Sequence, residues 1–357
     1  STLVVSVSGR AYEHHRKNGS MSRTAEYYWG NGQAISPGMT YGLVATKNYQ
    51  LPPVLKEIAL DSSDVIIKQS NGLNLSELDS EGYYGTDNRS MMMQWGMEAF
   101  TIPEVVRNTL SDMRANCMFS NDFIADYKTL DFSLLNWLHL EPLIVNLINP
   151  QYNGIAIQQG NTYTYRTKDY SMYTMQSHQV GGYADQQHVF GMNVGDYFAI
   201  FHTHPAVEED MEVSSPNYWV GYGHFPHSVQ DENVNLSIYS LPSSKGIIEM
   251  DLLDYTHAYF PQAKFDTVVI DQNYAFAKKG ETYWKFIGAA DFKYKDDTKD
   301  DLIQHGKQTF WITEASSKTE DKSFEHFVRR IKGNEVMFEK DQLDLLYQSN
   351  SRHYVLR

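Results

Sequence analysis

"GGYADQQHVFGMNVGDYFAIFHTHPAVEED", residues 181–210, sets strand-forming residues beside imidazoles and amides: it holds three of the chain's 13 histidines and two glutamines. Ala184 to Met192 predicts one strand and Tyr197 to His204 a second. Asn193-Val194-Gly195-Asp196 between them is turn chemistry, because Gly and Asn tolerate positive φ. Side chains alternate along a strand, so Gln186, His188 and Phe190 share one face, and His202 and His204 share another. The loop length sets who meets whom. A loop over 194–196 places His188 opposite His202 and Gln186 opposite His204. A loop over 193–196 places Gln187 opposite His202 and Asp185 opposite His204. Either register gathers polar groups across two strands, and these read as a hydrogen-bonded patch in a sheet or as a ligand-binding or catalytic site.

Outward from this pair the chain changes texture. Residues 1–150 carry helical signals at 52–61, 89–100, 101–119 and 132–148. In the third of these, Thr101 is a candidate N-cap, Pro103 stands in the first turn, and Val105, Val106, Leu110 and Met113 recur at helical spacing. From about residue 154 the segments 161–178, 234–242, 264–272, 273–290 and 307–316 alternate as strands. "AFAKKGETYWKF" predicts a hairpin with Lys279-Gly280-Glu281 near its tip. "SFEHFVRRIKG" (323–333) predicts a short helix stopped by Gly333, and the tail returns to strand alternation. "KYKDDTKDD" (293–301) reads as a solvated charged loop. Helices followed by many antiparallel strands imply two domains, 1–150 and 151–357, in an α+β arrangement.

The chain has 357 residues, 41% hydrophobic and 21% charged, which is a globular composition. Its mean hydropathy is -0.49 and no long apolar run predicts a membrane span. A formal net charge of -14 argues against general nucleic-acid binding and leaves a polyanion only a local basic pocket. The 25 tyrosines and 6 tryptophans suit a carbohydrate surface and equally a β-rich core. Cys117 is the single cysteine, so no intrachain disulfide forms, which fits the cytosol or a bacterial periplasm. It falls in the predicted helix over 101–119, where a nucleophilic role is not expected.

Three stretches could carry chemistry. "SGRAYEHHRKNG" (8–19) is the densest basic cluster, with Arg10, His14, His15, Arg16 and Lys17; Arg suits bidentate carboxylate or sulfate recognition. The histidine strand pair is the second. The third, "SPNYWVGYGHFPHSVQDEN" (215–233), sets Tyr218, Trp219, Tyr222, His224 and His227 in a Gly- and Pro-punctuated loop, a possible sugar platform or a packed loop. His202-Thr203-His204 with His224 could hold a structural zinc, although no spacing matches a closed site and no H-E-x-x-H is present. No G-x-S-x-G, P-loop or dinucleotide fingerprint occurs.

"SVSGRAYEHHR", "GGYADQQHVFGM", "FHTHP", "NYWVGYGHFPHSVQ", "YAFAKKGETYWKF" and "SFEHFV" together resemble the heparinase II/III-like polysaccharide lyases and a related branch that includes glucuronidase-like hydrolases. The resemblance implies an α/α toroid followed by an antiparallel β-sandwich, here with an incomplete toroid over 1–150 and the sandwich over 151–357. "SVSGRAYEHHR" is similar to a Gly-Arg segment found midway through such toroids, so the chain is expected to be the C-terminal portion of a longer protein. Tyr183 stands where many members carry a histidine. The implied activity is cleavage beside a uronic acid by β-elimination, with no cofactor required. His188, Tyr183 and His204 are the expected proton-transfer residues. Arg10, His14, Arg16, Gln187, Tyr218, Trp219, Tyr222 and His224 are the expected substrate contacts, and His202, His204 and His224 the candidate zinc ligands. A glycosidase acting on a uronosyl bond and a non-catalytic carbohydrate-binding fragment are the alternatives. The implied partner is an anionic polysaccharide or oligosaccharide, with a homo-oligomer or the remaining N-terminal part as a further possible partner, and the implied location is the bacterial periplasm or outside the cell.

Overall fold

The computed structural model describes residues 12–15, 21–24, 53–54, 57, 63–71, 75–96, 103–122, 140, 143, 160–176, 189–194, 198–208, 218–219, 224–246, 249 and 251–357. In chain order the strands are β1 (Tyr12–His15), β2 (Met21–Thr24), β3 (Val65–Asn71), β4 (Gly160–Arg166), β5 (Tyr170–Gln176), β6 (Phe190–Val194), β7 (Phe198–Thr203), β8 (His227–Asp231), β9 (Val234–Ser240) and β10 (Tyr255–Tyr259). They continue as β11 (Thr267–Asp271), β12 (Tyr274–Lys279), β13 (Thr282–Gly288), β14 (Lys293–Tyr294), β15 (Asp301–His305), β16 (Gln308–Ser317), β17 (Val336–Glu339), β18 (Asp344–Ser349) and β19 (Arg352–Leu356). The helices are α1 (Leu75–Ser80), α2 (Asn88–Gly96), α3 (Pro103–Ala115), α4 (Lys318–Asp321) and α5 (Phe324–Lys332).

Two antiparallel sheets make the sandwich. One runs β14-β15-β10-β7-β6-β5-β4-β3 and the other β11-β12-β13-β16-β9-β8. Alternation explains what lies between them. Met172, Phe190, Met192, Phe198, Ile200, Ala258 and Leu302 point inward from the larger sheet and meet Tyr239, Ala275, Ala277, Trp284, Phe286, Trp311 and Ala315 from the smaller. The outer face of the smaller sheet is covered too. Val234, Leu236, Ile238, Tyr283, Ile287 and Ile312 pack under Phe324, Phe327 and Ile331 of α5 and under Leu345 and Tyr347 of β18. The sheet of β17, β18 and β19 therefore forms a third layer. On the outer face of the larger sheet, residues of opposite parity, Tyr173, Phe201, Tyr255 and Tyr259, gather with Ala206, Val207, Tyr218 and Trp219. The candidate site lies there.

The antiparallel sandwich matches the sequence reading. The expected toroid and the helices over 52–61 and 132–148 fall almost wholly outside the described residues. Within 1–150, α2 and α3 lie in the predicted helical stretches, and β3 adds to the larger sheet by pairing with β4. Cys117 differs from expectation: α3 ends at Ala115, and Cys117 follows in the left-handed region at φ 54, exposed to solvent. Within the 161–178 stretch, β4 and β5 form a hairpin, whose turn is held by Thr167 Oγ1 accepting from Asp169 N and Tyr170 N, each at 3.1 Å.

The β6–β7 register differs from both expected ones. Gly191 pairs with Phe201, Met192 with Ile200 and Val194 with Phe198. This register brings Phe190 against His202, and their rings stack at 4.7 Å.

Candidate functional site

The structure separates the two histidines of "FHTH". His202 follows Phe198 and Ile200 into the space between the sheets, where its ring lies 5.3 Å from Trp311 and its Nδ1 is 2.8 Å from Tyr239 Oη. It is 1% exposed, a core imidazole rather than a wall of a pocket. His204 lies just past the end of β7 and turns to a different neighbourhood. Its Nε2 donates to the Leu253 carbonyl at 2.8 Å, which assigns the neutral tautomer with Nδ1 bare. Burial pushes its pKa down to about 3, and the hydrogen bond to Leu253 opposes that shift only in part. His204 is therefore neutral at physiological pH.

His224 stands beside it, ring centroids 5.2 Å apart at 75°. Its Nε2 lies 2.6 Å from Glu249 Oε1, with His224 18% and Glu249 8% exposed at the side chain. Glu249 also accepts from Gly246 N at 2.6 Å. Burial pushes the Glu249 carboxyl up, but its contacts with His224 and Gly246 outweigh that and hold it below the ordinary range. The result is an imidazole–carboxylate pair open to solvent on one side and backed by a neutral imidazole.

A second cluster adjoins it on the outer sheet face. On β10, Tyr255, His257 and Tyr259 share that face by alternation, and Asp301 on β15 stands opposite Tyr259. Asp301 Oδ1 lies 3.1 Å from His257 Nδ1, and Tyr218 Oη donates to Asp301 Oδ2. Trp219 stacks on the His257 ring at 4.6 Å and 16°, and the Tyr218 ring meets its edge at 4.5 Å. Burial first, and then the Asp301 charge, hold the Tyr218 phenol far above the ordinary tyrosine range, so it keeps its proton. Lys295 lies over the Tyr218 ring at 3.8 Å and 3.6 Å from Glu208 Oε1. His257 and His224 both act electrostatically on His204, which links the two clusters.

Of the residues expected from sequence, the structure brings His204, His224, Tyr218 and Trp219 into this region. His14 lies on β1 opposite Ser22, and His227 lies exposed on β8. Arg10, Arg16, Tyr183, Asp185, Gln186, Gln187, His188 and Tyr222 lie outside the described residues. The three proposed zinc ligands do not converge, because the His202 ring sits between the sheets while His204 and His224 meet beyond the end of β7. Among the described residues no group of three or more His, Cys, Asp or Glu is placed to hold a metal ion.

Four residues escaped the sequence reading. His257 sits in "YTHAY", where Tyr at alternate positions announces an aromatic face. Asp301 was masked by the charge run before it, though it opens the alternating strand "DLIQH". Lys295 lies within that run, and Glu249 has no local signal. No family model matches the chain, and neither a curated protein nor a solved structure matches it.

Proposed function

We propose that this chain acts on a uronic-acid-containing polysaccharide and cleaves it beside the uronate by β-elimination. The observation that carries the reading is the His224–Glu249 pair, backed by neutral His204 and partly open to solvent. β-Elimination needs three things: neutralisation of the C5 carboxylate, a base for the C5 proton, and an acid for the departing O4. An imidazole can donate or accept a proton, and Glu249 Oε1 lies 2.6 Å from Nε2 of His224. His224 takes the acid role here, with the Glu249 carboxylate beside it. His204 lends a bare Nδ1 as a hydrogen-bond acceptor rather than a proton store. Tyr183 and His188 remain candidates for proton transfer, and Arg10 and Gln187 for contact with the substrate carboxylate, on the resemblance alone. The periplasmic or extracellular location and the anionic polymer as partner belong to the same reading.

The test is a screen of uronate-containing polymers with parent chain and His224→Gln. A lyase produces an unsaturated uronate, seen as far-ultraviolet absorbance, and His224→Gln should lower that rate roughly 10²–10⁴-fold. New reducing ends without the absorbance would move the assignment to a uronosyl hydrolase. Retained polymer binding without either product would make the chain a binding module.

A further inference from the structure

We infer that β11 is a self-association edge: two copies of this chain pair along it, antiparallel about a two-fold axis at Val269, and continue the smaller sheet from one molecule into the next. β11 is the last strand of that sheet, and among the described residues no strand pairs with its free side. Two hairpins fix which backbone groups it leaves open. Gln272-Asn273 joins β11 to β12 and Gly280-Glu281 joins β12 to β13, and the pairs flanking such two-residue turns exchange hydrogen bonds. Thr267, Val269 and Asp271 therefore bond to β12, while Val268 and Ile270 turn their N–H and C=O groups outward.

An open edge invites another strand, and proteins guard against it. The other edges of the two large sheets are guarded. On β8, Gln230 Nε2 donates to the Met172 carbonyl at 3.1 Å and Gln176 Nε2 to the Gln230 carbonyl at 3.4 Å, which ties that edge to β5. β14 has two residues, and β3 carries Lys68. β11 reads Thr-Val-Val-Ile-Asp, without Lys, Arg or Pro, and Val269 at its centre is 38% exposed.

The strand is complementary to itself, and this selects a second copy as the occupant. Antiparallel pairing about Val269 sets Val268 opposite Ile270 of the other copy and Ile270 opposite its Val268. These are the residues with outward groups, so each pair exchanges both of its backbone hydrogen bonds. Their side chains, packed against the inter-sheet core of each molecule, meet on one face. On the other face Val269 meets its own copy, and Thr267 stands opposite Asp271, a hydroxyl donor against a carboxylate. Parallel pairing in register would set Asp271 beside Asp271. The antiparallel contact is isologous and closes at two molecules. A five-residue edge is small beside a standard interface, so the dimer is a reversible one. It is independent of the proposed elimination, since the candidate site lies on the outer face of the larger sheet.

Sedimentation velocity of the full chain across the micromolar range tests the pairing. The expected result is a reversible monomer–dimer equilibrium. Val269→Lys, with folding checked by circular dichroism, sets two ammonium groups together at the axis and should weaken the dimer roughly tenfold or more. Thr267→Asp should weaken it by facing Asp271 of the other copy, and adding Asp271→Thr to that variant should restore it. Hydrogen exchange gives a second readout: the Val268 and Ile270 amides should exchange fast in the dilute chain and slowly in the dimer, with Val269 slow in both. A chain that stays monomeric throughout, a dimer indifferent to Val269→Lys, or a Thr267–Asp271 exchange that restores nothing would overturn the inference. Slow exchange of Val268 and Ile270 in the dilute monomer would overturn it too, because another segment of the same chain would then already occupy the edge.

Discussion

Lys285 is the clearest case of a single residue working against its surroundings. It sits on β13 opposite Glu314 of β16, fully buried, with Nζ 4.0 Å from Glu314 Oε2 and 4.0 Å from the centre of the Tyr347 ring. Nζ has no hydrogen-bond partner, while Glu314 is held by Arg330 Nη1 at 2.7 Å and by Tyr347 Oη at 2.5 Å. Asp321 completes the network by a two-point contact with Arg330 and by His326 Nδ1 at 3.1 Å. Burial pushes the Lys285 amine down to about 7, with Glu314 pulling it back up and Arg330 adding to the fall. The sign follows. Between that value and the ordinary lysine range near 10.5 the unfolded chain binds the extra proton, so stability from this group rises with pH across that window. Its cost is complete below the window. Urea unfolding at pH 7 and pH 10 should therefore show the parent gaining on the order of a few kcal/mol relative to Lys285→Met, and equal pH slopes would refute the buried charge. Neither this residue nor Asp301 was readable from sequence, for the same reason. A charged letter in a strand states nothing about which face it takes until the register is known. His202 shows the converse: its letter promised chemistry, and the inward parity of Phe198 and Ile200 placed it in the core.

Elements with their own local rules were readable, and those depending on a partner were not. The β12–β13 hairpin was expected at its tip because Gly280 is needed there, and the structure has it at φ 59. The β6–β7 turn was expected, but its register was not, because Asn193, Val194 and Gly195 offer several workable loop lengths. Packing chose among them by placing Phe190 beside His202 and Met192 beside Ile200 in the inter-sheet core. Helix α5 had both local and tertiary signals. Ser323 Oγ accepts from His326 N at 3.1 Å as its N-cap, and Phe324, Phe327 and Ile331 recur on its buried face. Phe327 meets Phe276 at 6.2 Å and Tyr283 at 5.8 Å, both on the outer face of the smaller sheet. Phe327→Ala should cost about 3–5 kcal/mol in urea unfolding, and Ser323→Ala about 1 kcal/mol. A Phe327→Ala loss no larger than that of the cap would show that α5 does not hold its place by this ring.

At the scale of the whole molecule, the smaller sheet is the shared wall of two cores. Each of its central strands serves both, which is why every residue of β13 is buried: Trp284 and Phe286 face the larger sheet, while Tyr283 and Ile287 face α5 and β18. The period-2 alternation of hydrophobic and polar residues that marks a half-solvated strand is absent there, and the third layer was readable only as strand-like letters in the tail. The arrangement also predicts how the molecule unfolds. Leu345 on β18 is 0% exposed and packs into the outer core, with the sheet standing between it and the tryptophans of the inner one. If both cores share one wall, removing a methyl cluster from the outer one must weaken the inner one by the same amount, since neither survives alone. Leu345→Ala should therefore lose about 2–5 kcal/mol, and the loss should read the same by far-ultraviolet circular dichroism and by tryptophan emission, to which Trp284 and Trp311 contribute from between the sheets. An early transition in circular dichroism with the tryptophan transition unmoved would mean that the C-terminal layer opens by itself, and the two cores would then be separate cooperative units joined only by their common sheet.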